Sequence, residues 1–133
     1  MKTPELHYLA LVAAATLLMW IPYMAARILT RGPLRTLGNP ADPKAPSDPA
    51  WAERARRAHA NAAENLAVFA PLVVILALNG ISTPTTVTAS KIYLGARLTH
   101  YLVYAAGIPV IRTLAFAAGF AATLAIAAAV LGV

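Results

Sequence analysis

The chain of 133 residues contains no cysteine and few charged residues. Without cysteine there is no disulfide framework, no thiolate metal site and no cysteine nucleophile. Charged residues make up 12% of the chain and hydrophobic residues 59%, whereas a soluble domain is about a quarter charged and about half apolar. The sequence also lacks a glycine-rich phosphate loop and a pair of histidines at metal-binding spacing. We therefore expect no soluble enzyme, no metal site and no nucleotide-binding domain.

The net charge of +6 could indicate a nucleic-acid partner, but the distribution of apolar residues argues against it. A bilayer core requires about 20 apolar residues per helix, and four stretches approach that length, at about residues 6–28, 62–78, 92–110 and 114–133. The first is longer than a signal-peptide core and is expected to remain as a helix. The sequence predicts an all-α membrane protein, a single domain over residues 1–133 with four transmembrane helices. Their expected bounds are about 5–30, 49–79, 90–107 and 112–133, with a cytoplasmic loop at about 31–48.

Basic residues are unevenly spread over the connections between these stretches. Seven lie between residues 27 and 57, whereas residues 79–90 carry none. The positive-inside bias therefore places the first and third connections in the cytoplasm and both termini on the other side. We also expect Pro22 to kink the first helix, and Asp48 to cap the second helix with Pro49 in its first turn.

Polar side chains form a stripe on each of two predicted helices. At about 100° per residue, the stripe on the second helix contains Arg54, Arg57, Asn61, Glu64 and Asn65. The stripe on the third helix contains Tyr93, Arg97, His100, Tyr101 and Tyr104. Because a central charge costs about 2.5–3.5 kcal/mol on insertion scales, both stripes should face the bundle interior or a water-filled site.

Three interpretations of these stripes stay open. Glu64 could form a purely structural salt bridge with Arg57 or Arg97, and the arginines at the helix start could simply reach the membrane surface. Alternatively, the stripes line a cavity for a small zwitterionic, peptide-like molecule that enters from the cytoplasm. Arginines would then bind carboxylates, Glu64 an amine, and Asn61 and Tyr104 neutral polar groups.

Three motifs resemble the MAPEG family, the membrane-associated proteins in eicosanoid and glutathione metabolism. "RAHANAAENLAVFAP" is similar to the family's second-helix signature through Arg57, Ala58, His59, Asn61 and Glu64, followed by Phe69 and Pro71. "RLTHYLVY" is similar to the third-helix pattern through Arg97, His100 and Tyr104. "IRTLAF", with Arg112 and Thr113, resembles the opening of the fourth helix.

The resemblance implies a prokaryotic member that forms a homotrimer in the bacterial inner membrane, with glutathione as cosubstrate between subunits. Carried over to this chain, it makes Arg57, Asn61, Glu64, Arg97, His100 and Tyr104 glutathione-binding residues, with Arg27 or Arg31 contributed by a neighbour. Arg112 would lie beside the sulfur with Thr113 next to it, since a guanidinium lowers the thiol pKa and the thiolate is the nucleophile. Lipophilic electrophiles or hydroperoxides would arrive through the bilayer, and no nucleic acid or metal is implied.

Two departures from the family pattern keep an alternative open. Ala60 stands where some members carry another arginine, and Thr113 replaces the usual serine. The alternative is a non-catalytic membrane protein of the same fold that serves as a structural or accessory subunit. A small transporter is a distant third hypothesis, because no broken helix pair marks a substrate site at the membrane midplane.

Overall fold

The computed structural model describes residues 3–38 and 43–133. All regular secondary structure in this part of the chain is α-helical. Four predicted loop residues, 39–42, and the first two residues lie outside it. The elements are α1 (Pro4–Leu18), α2 (Trp20–Arg31), α3 (Pro33–Leu37), α4 (Ala50–Leu78), α5 (Pro84–Ala106) and α6 (Pro109–Leu131).

Three helical segments among the described residues are long and apolar enough to cross a membrane: Pro4–Arg31, Ala50–Leu78 and Pro109–Leu131. Large apolar side chains point outward from the bundle, as in Leu17, Leu29 and Leu102. This pattern suits a lipid environment, and the predicted all-α membrane protein is confirmed. The count of four spans stays a prediction, because α5 is not among the three segments and carries Lys91 and Arg97.

The first predicted helix is divided at Met19, where α1 ends and α2 begins. Pro22 lacks an N–H, and its ring conflicts with the carbonyl of the residue four positions earlier, Leu18, which is the last residue of α1. The Tyr101 hydroxyl of α5 donates a hydrogen bond to the Met19 carbonyl at 2.8 Å. The helix is thus interrupted close to Pro22, where the kink is expected, and a side chain from α5 bonds to the residue at the interruption.

The predicted cap of the second helix is wrong. Pro49, not Asp48, is the N-cap of α4, and no side chain bonds to the first turn. Asp48 instead forms ion pairs with Arg27 and Arg31 of α2. Two nearby cationic groups hold the carboxylate more strongly than a backbone N–H does.

The third and fourth helices begin earlier than residues 90 and 112. Thr83 and Thr86 form a reciprocal capping box, which together with Pro84 in the first turn starts α5. Gly107 ends α5 in the left-handed conformation at φ 81°, and Pro109 opens α6. This tight turn sets α6 alongside α5.

The core consists of two clusters, one toward each end of the bundle. In the larger, the rings of Phe69 and Tyr93 stack with centroids 3.7 Å apart; its other buried members are Val12, Val73, Leu76, Ala89, Ala122 and Ile126. The smaller cluster contains Met19, Ala55, Ala58, Ala62 and Tyr101. Its alanines lie on α4 at helical spacing and allow close approach of neighbouring helices.

Candidate functional site

Arg97 joins the two polar stripes inside the bundle. Its Nη2 donates to Asn65 Oδ1 at 3.0 Å and its Nη1 to Asn61 Oδ1 at 3.4 Å. The side chain is buried and its guanidinium lies over the rings of Tyr93 and Phe116, at 5.0 and 5.4 Å. The two amides and two rings take the place of water around a charge near the middle of α4 and α5.

Gly119 of α6 provides the space for this guanidinium. A Cβ placed at Gly119 would lie 2.8 Å from Arg97 Nη2 and 3.0 Å from its Cζ. The sequence alone indicates no more for Gly119 than a small residue in an alanine-rich helix, which suits close helix packing. The nearest sequence signal is the presence of a single glycine within the alanine-rich run of α6, which does not identify its partner.

A second group of predicted site residues lines a pocket at the turn between α5 and α6. The pocket has a volume of about 270 Å³ and is lined by His100, Tyr104, Arg112, Thr113 and Phe116. The Arg112 guanidinium lies 4.6 Å from the centre of the Tyr104 ring, and the rings of His100 and Tyr104 meet edge to face at 5.5 Å. The pocket thus places the positive charge of Arg112 beside the aromatic rings of Tyr104 and His100.

Thr113 has a local partner in this pocket. Its hydroxyl donates to the Pro109 carbonyl at 3.1 Å, within the first turn of α6. Such a back-bond is common for threonine in helices and satisfies the hydroxyl proton. The side chain is nevertheless exposed, so its oxygen can still accept a hydrogen bond.

An apolar groove between α4 and α6 adjoins this pocket through the shared Phe116. It has a volume of about 380 Å³, and its lining is Asn65, Val68, Leu72, Phe116, Phe120, Thr123, Leu124 and Ala127. Thr123 donates to the Gly119 carbonyl, and Asn65 donates to the Asn61 carbonyl while accepting from Arg97. Because these polar groups already have partners, the groove suits an apolar ligand.

Arg57 and Glu64, two members of the helix-two signature, lie on the exposed face of α4. Arg57 Nε lies 3.6 Å from Glu53 Oε1, one turn earlier. In the described part of the chain Glu64 pairs with neither Arg57 nor Arg97, which argues against the interpretation of the stripes as a structural salt bridge within one chain. Both side chains remain available to a ligand or to a neighbouring copy.

The remaining arginines separate into different environments. Arg54 does not join the other residues of the predicted stripe. Its Nε donates to the Ala105 carbonyl at 3.0 Å and so caps the C-terminal end of α5. Arg56 is half exposed and pairs with Glu53 at 2.6 Å, as expected for a residue at the membrane surface. Arg27 and Arg31 lie on α2 and pair with Asp48. Within one chain they do not join the group around Arg97.

A metal site requires several histidine, aspartate or glutamate ligands at one point. In the part of the chain that the structure describes, no three histidine, aspartate and glutamate side chains lie close enough together to form such a site. The guanidinium groups of Arg97 and Arg112 supply positive charge at the candidate site.

Comparison with known proteins adds three findings. The model of the MAPEG family matches residues 6–132. Microsomal glutathione S-transferase 1 of Rattus norvegicus is 37% identical over 76 residues, which cover 56% of this chain and 49% of the relative; the Homo sapiens protein is 34% identical over the same shares. The chain thus spans about half the length of the curated relatives it matches. No solved structure matches it significantly.

Proposed function

Because the chain belongs to the MAPEG family, we propose that it is a glutathione-dependent membrane enzyme acting on lipophilic electrophiles or hydroperoxides. The observation that carries the proposal is the pocket of His100, Tyr104 and Arg112, which adjoins the apolar groove at their shared lining residue, Phe116. A polar pocket with a fixed cation suits a thiolate, and the groove beside it suits an apolar co-substrate. The relatives' names, which specify glutathione transfer, support the choice of thiol.

The proposed chemistry begins with ionisation of the glutathione thiol beside Arg112. A cation next to a thiol favours the thiolate, which is the nucleophilic form. With an electrophile, the sulfur forms a bond to carbon while the leaving group departs with its electron pair. With a hydroperoxide, the sulfur takes the terminal hydroxyl group, the O–O bond breaks, and the alkoxide leaves with the electron pair and takes a proton from water to become an alcohol; a second glutathione then reduces the sulfenic acid, giving a disulfide and water.

The rest of the proposed site binds the tripeptide. Arg57 supplies a guanidinium for a carboxylate, Glu64 an acceptor for the amine, and Asn61 a neutral amide. Arg97 is a positioning residue in this proposal, because it is buried and holds the Asn61 and Asn65 amides through hydrogen bonds. The homotrimer would bring Arg57 and Glu64 of one copy toward the Arg112 pocket of another, with Arg27 or Arg31 added from a neighbour.

The proposed setting is a bacterial inner membrane crossed four times, with α5 as the third span. Both termini would lie on the non-cytoplasmic side, since the basic residues cluster between residues 27 and 57. The tripeptide would then enter from the cytoplasm and the lipophilic co-substrate from the bilayer. In this arrangement the two reactants meet at Phe116, the residue that the pocket and the groove share.

Calorimetry of glutathione binding to the detergent-purified protein, followed by the ultraviolet absorbance of the thiolate, tests this function. We expect binding with a thiolate signal near neutral pH. Arg112→Ala should retain most of the affinity and lose the signal, whereas Arg112→Lys, which keeps a cation, should retain part of it. Absence of binding at millimolar glutathione would overturn the proposal.

The same experiment distinguishes the second candidate, a non-catalytic member of the family. One observation favours it: within a single chain Arg57 and Glu64 do not line the Arg112 pocket. Binding without a thiolate signal in the unaltered protein would support a ligand site without transferase chemistry. A purely structural subunit would bind no glutathione and would co-purify with a partner.

A further inference from the structure

Two arginines of α2 converge on one carboxylate from the segment before α4. Arg27 Nε and Nη2 donate to Asp48 Oδ2 at 2.8 and 2.6 Å, and Arg31 Nε lies 2.9 Å from Oδ1. The Asp48 side chain is only 8% exposed, against 23% for Arg27 and 18% for Arg31. Two guanidinium groups one helical turn apart thus form a receptor for a carboxylate, and Asp48 lies in it.

The fit between Asp48 and this receptor is incomplete. Arg27 directs both of its N–H groups to the same oxygen, rather than one to each as in the strongest arginine–carboxylate geometry. Arg31 Nε and Asp48 Oδ1 are close, yet neither atom makes a well-aligned hydrogen bond. A carboxylate less restricted in its approach could use more of the donors that the two arginines present.

Asp48 is also able to leave without breaking regular structure. Residues 43–49 form no helix, and α4 begins after Pro49 with no side-chain cap from Asp48. Release of Asp48 therefore costs its ion pairs but no helical hydrogen bond.

The receptor is continuous with the face of α4 that bears the second-helix signature. Arg27, Arg31 and Asp48 line a polar pocket of about 470 Å³ together with Ser47, Glu53 and Arg56. Glu53 lines this pocket, and its Oε1 also lies 3.6 Å from Arg57 Nε. In the proposed homotrimer a neighbouring copy contributes this receptor, so that a tripeptide held at Arg57 through one carboxylate offers it the other.

From this geometry we propose that Asp48 is an internal competitor: it occupies the two arginines, Arg27 and Arg31, to which the proposed function already assigns a carboxylate of glutathione, and that carboxylate displaces Asp48 on binding. The inference rests on the proposed function, since it takes glutathione as the ligand. Asp48 then acts as a latch that sets how tightly the chain holds glutathione. It does not take part in the chemistry at Arg112.

The latch has a quantitative consequence. The apparent association constant for glutathione equals the intrinsic constant multiplied by the fraction of molecules in which the receptor is open. If Asp48 occupies the receptor in about nine molecules of ten, its removal should tighten glutathione binding roughly tenfold. A carboxylate that merely fixed the loop would give the opposite result, since its loss would loosen two arginines of the binding surface.

Calorimetry on Asp48→Asn, Asp48→Glu and the unaltered protein tests the latch. We expect Asp48→Asn to bind glutathione roughly tenfold more tightly and Asp48→Glu, which retains a competing carboxylate, to remain near the unaltered protein. The gain should persist at high salt, because long-range attraction is screened beyond about 10 Å at 0.1 M salt whereas direct competition is not. Equal or weaker binding by Asp48→Asn overturns the latch and leaves the proposed function intact; no binding by any of the three overturns both.

Hydrogen–deuterium exchange on the unaltered protein tests the latch without a substitution. The amides of Lys44, Ala45, Ser47 and Asp48 should exchange severalfold faster with glutathione than without it, because displacement frees this segment. An S-alkylated glutathione, which keeps both carboxylates, should have the same effect. Slower or unchanged exchange at saturating glutathione would overturn displacement even if Asp48→Asn failed to fold.

Discussion

Arg97 illustrates how a charge is accommodated within an apolar bundle. No carboxylate pairs with it among the described residues; its partners are the amides of Asn61 and Asn65 and the rings of Tyr93 and Phe116. Each of these contacts is weaker than a buried ion pair, but none adds a second charge that must lose its water. The arrangement therefore depends on how closely the neighbouring helices surround the guanidinium.

Gly119→Ala tests how closely α6 packs against the Arg97 guanidinium. The new methyl would lie 2.8 Å from Arg97 Nη2, so the guanidinium must shift and its bonds to Asn61 and Asn65 lengthen. We expect a loss of about 1–3 kcal/mol in the free energy of unfolding, the cost of leaving buried polar groups unsatisfied. Thermal unfolding in detergent, followed by circular dichroism, measures it.

Gly95 is the matched control for this substitution. It lies within α5 and a Cβ there meets no atom within 4 Å, so Gly95→Ala should be neutral or stabilise by about 0.5–1 kcal/mol. In the Arg97→Met background the penalty at position 119 should fall by at least half, because the two changes are coupled through the guanidinium. An equal penalty in both backgrounds would mean that another neighbour of Gly119 causes it.

At the scale of the helices, a buried carboxylate fixes the start of α1 to the start of α5. Glu5 is fully buried and accepts hydrogen bonds from Ser82 at 3.0 and 3.1 Å and from Thr86 at 2.5 Å. Its negative charge also lies beside the N-terminus of α5, where the helix dipole favours it. The starts of α1 and α5 are thus joined by polar contacts around one buried carboxylate.

Glu5→Ala should therefore destabilise the bundle. Ser82 and Thr86 would lose their shared acceptor inside a closed contact, at a cost of about 1–3 kcal/mol. Thermal unfolding provides the measurement, and Glu53→Ala provides the control. Glu53 pairs with an Arg56 side chain that is 50% exposed, so its loss should change stability by at most about 1 kcal/mol. Equal effects of the two substitutions would contradict the role assigned to Glu5.

The helical periodicity of the sequence predicts part of this architecture and misses part of it. The wheel of the second helix places Asn61 and Asn65 on one stripe, and the structure places both against Arg97 of the third helix. The partner of Asp48 could not be found in this way, because capping is a local rule and the arginines that hold it lie on α2. Gly119 was missed for the same reason, since its role is visible only once α5 and α6 are set side by side.

For the whole molecule, the decisive question is how many times the chain crosses the membrane. Three segments meet the requirements of length and composition, whereas α5 has 23 residues, enough for about 34 Å of helix, but includes Lys91 and Arg97. Arg97 is buried against other helices, so its charge does not face lipid. That placement is compatible with α5 as a fourth span, which stays a prediction, although its sequence is less apolar than the three other segments.

Because the sequence contains no cysteine, the membrane spans can be counted by introducing single cysteines and labelling them with a membrane-impermeant thiol reagent. Cysteines at Ala45, Asn79 and Val133 probe the first connection, the second connection and the C-terminus. With four spans, we expect labelling of positions 79 and 133 in intact cells and of position 45 only after the membrane is opened. If α5 did not cross, position 133 would lie on the same side as position 45 and would be protected with it. In that case the Arg112 pocket, which lies at the turn between α5 and α6, would face away from the cytoplasm, and glutathione could not reach it from the side on which the basic residues cluster.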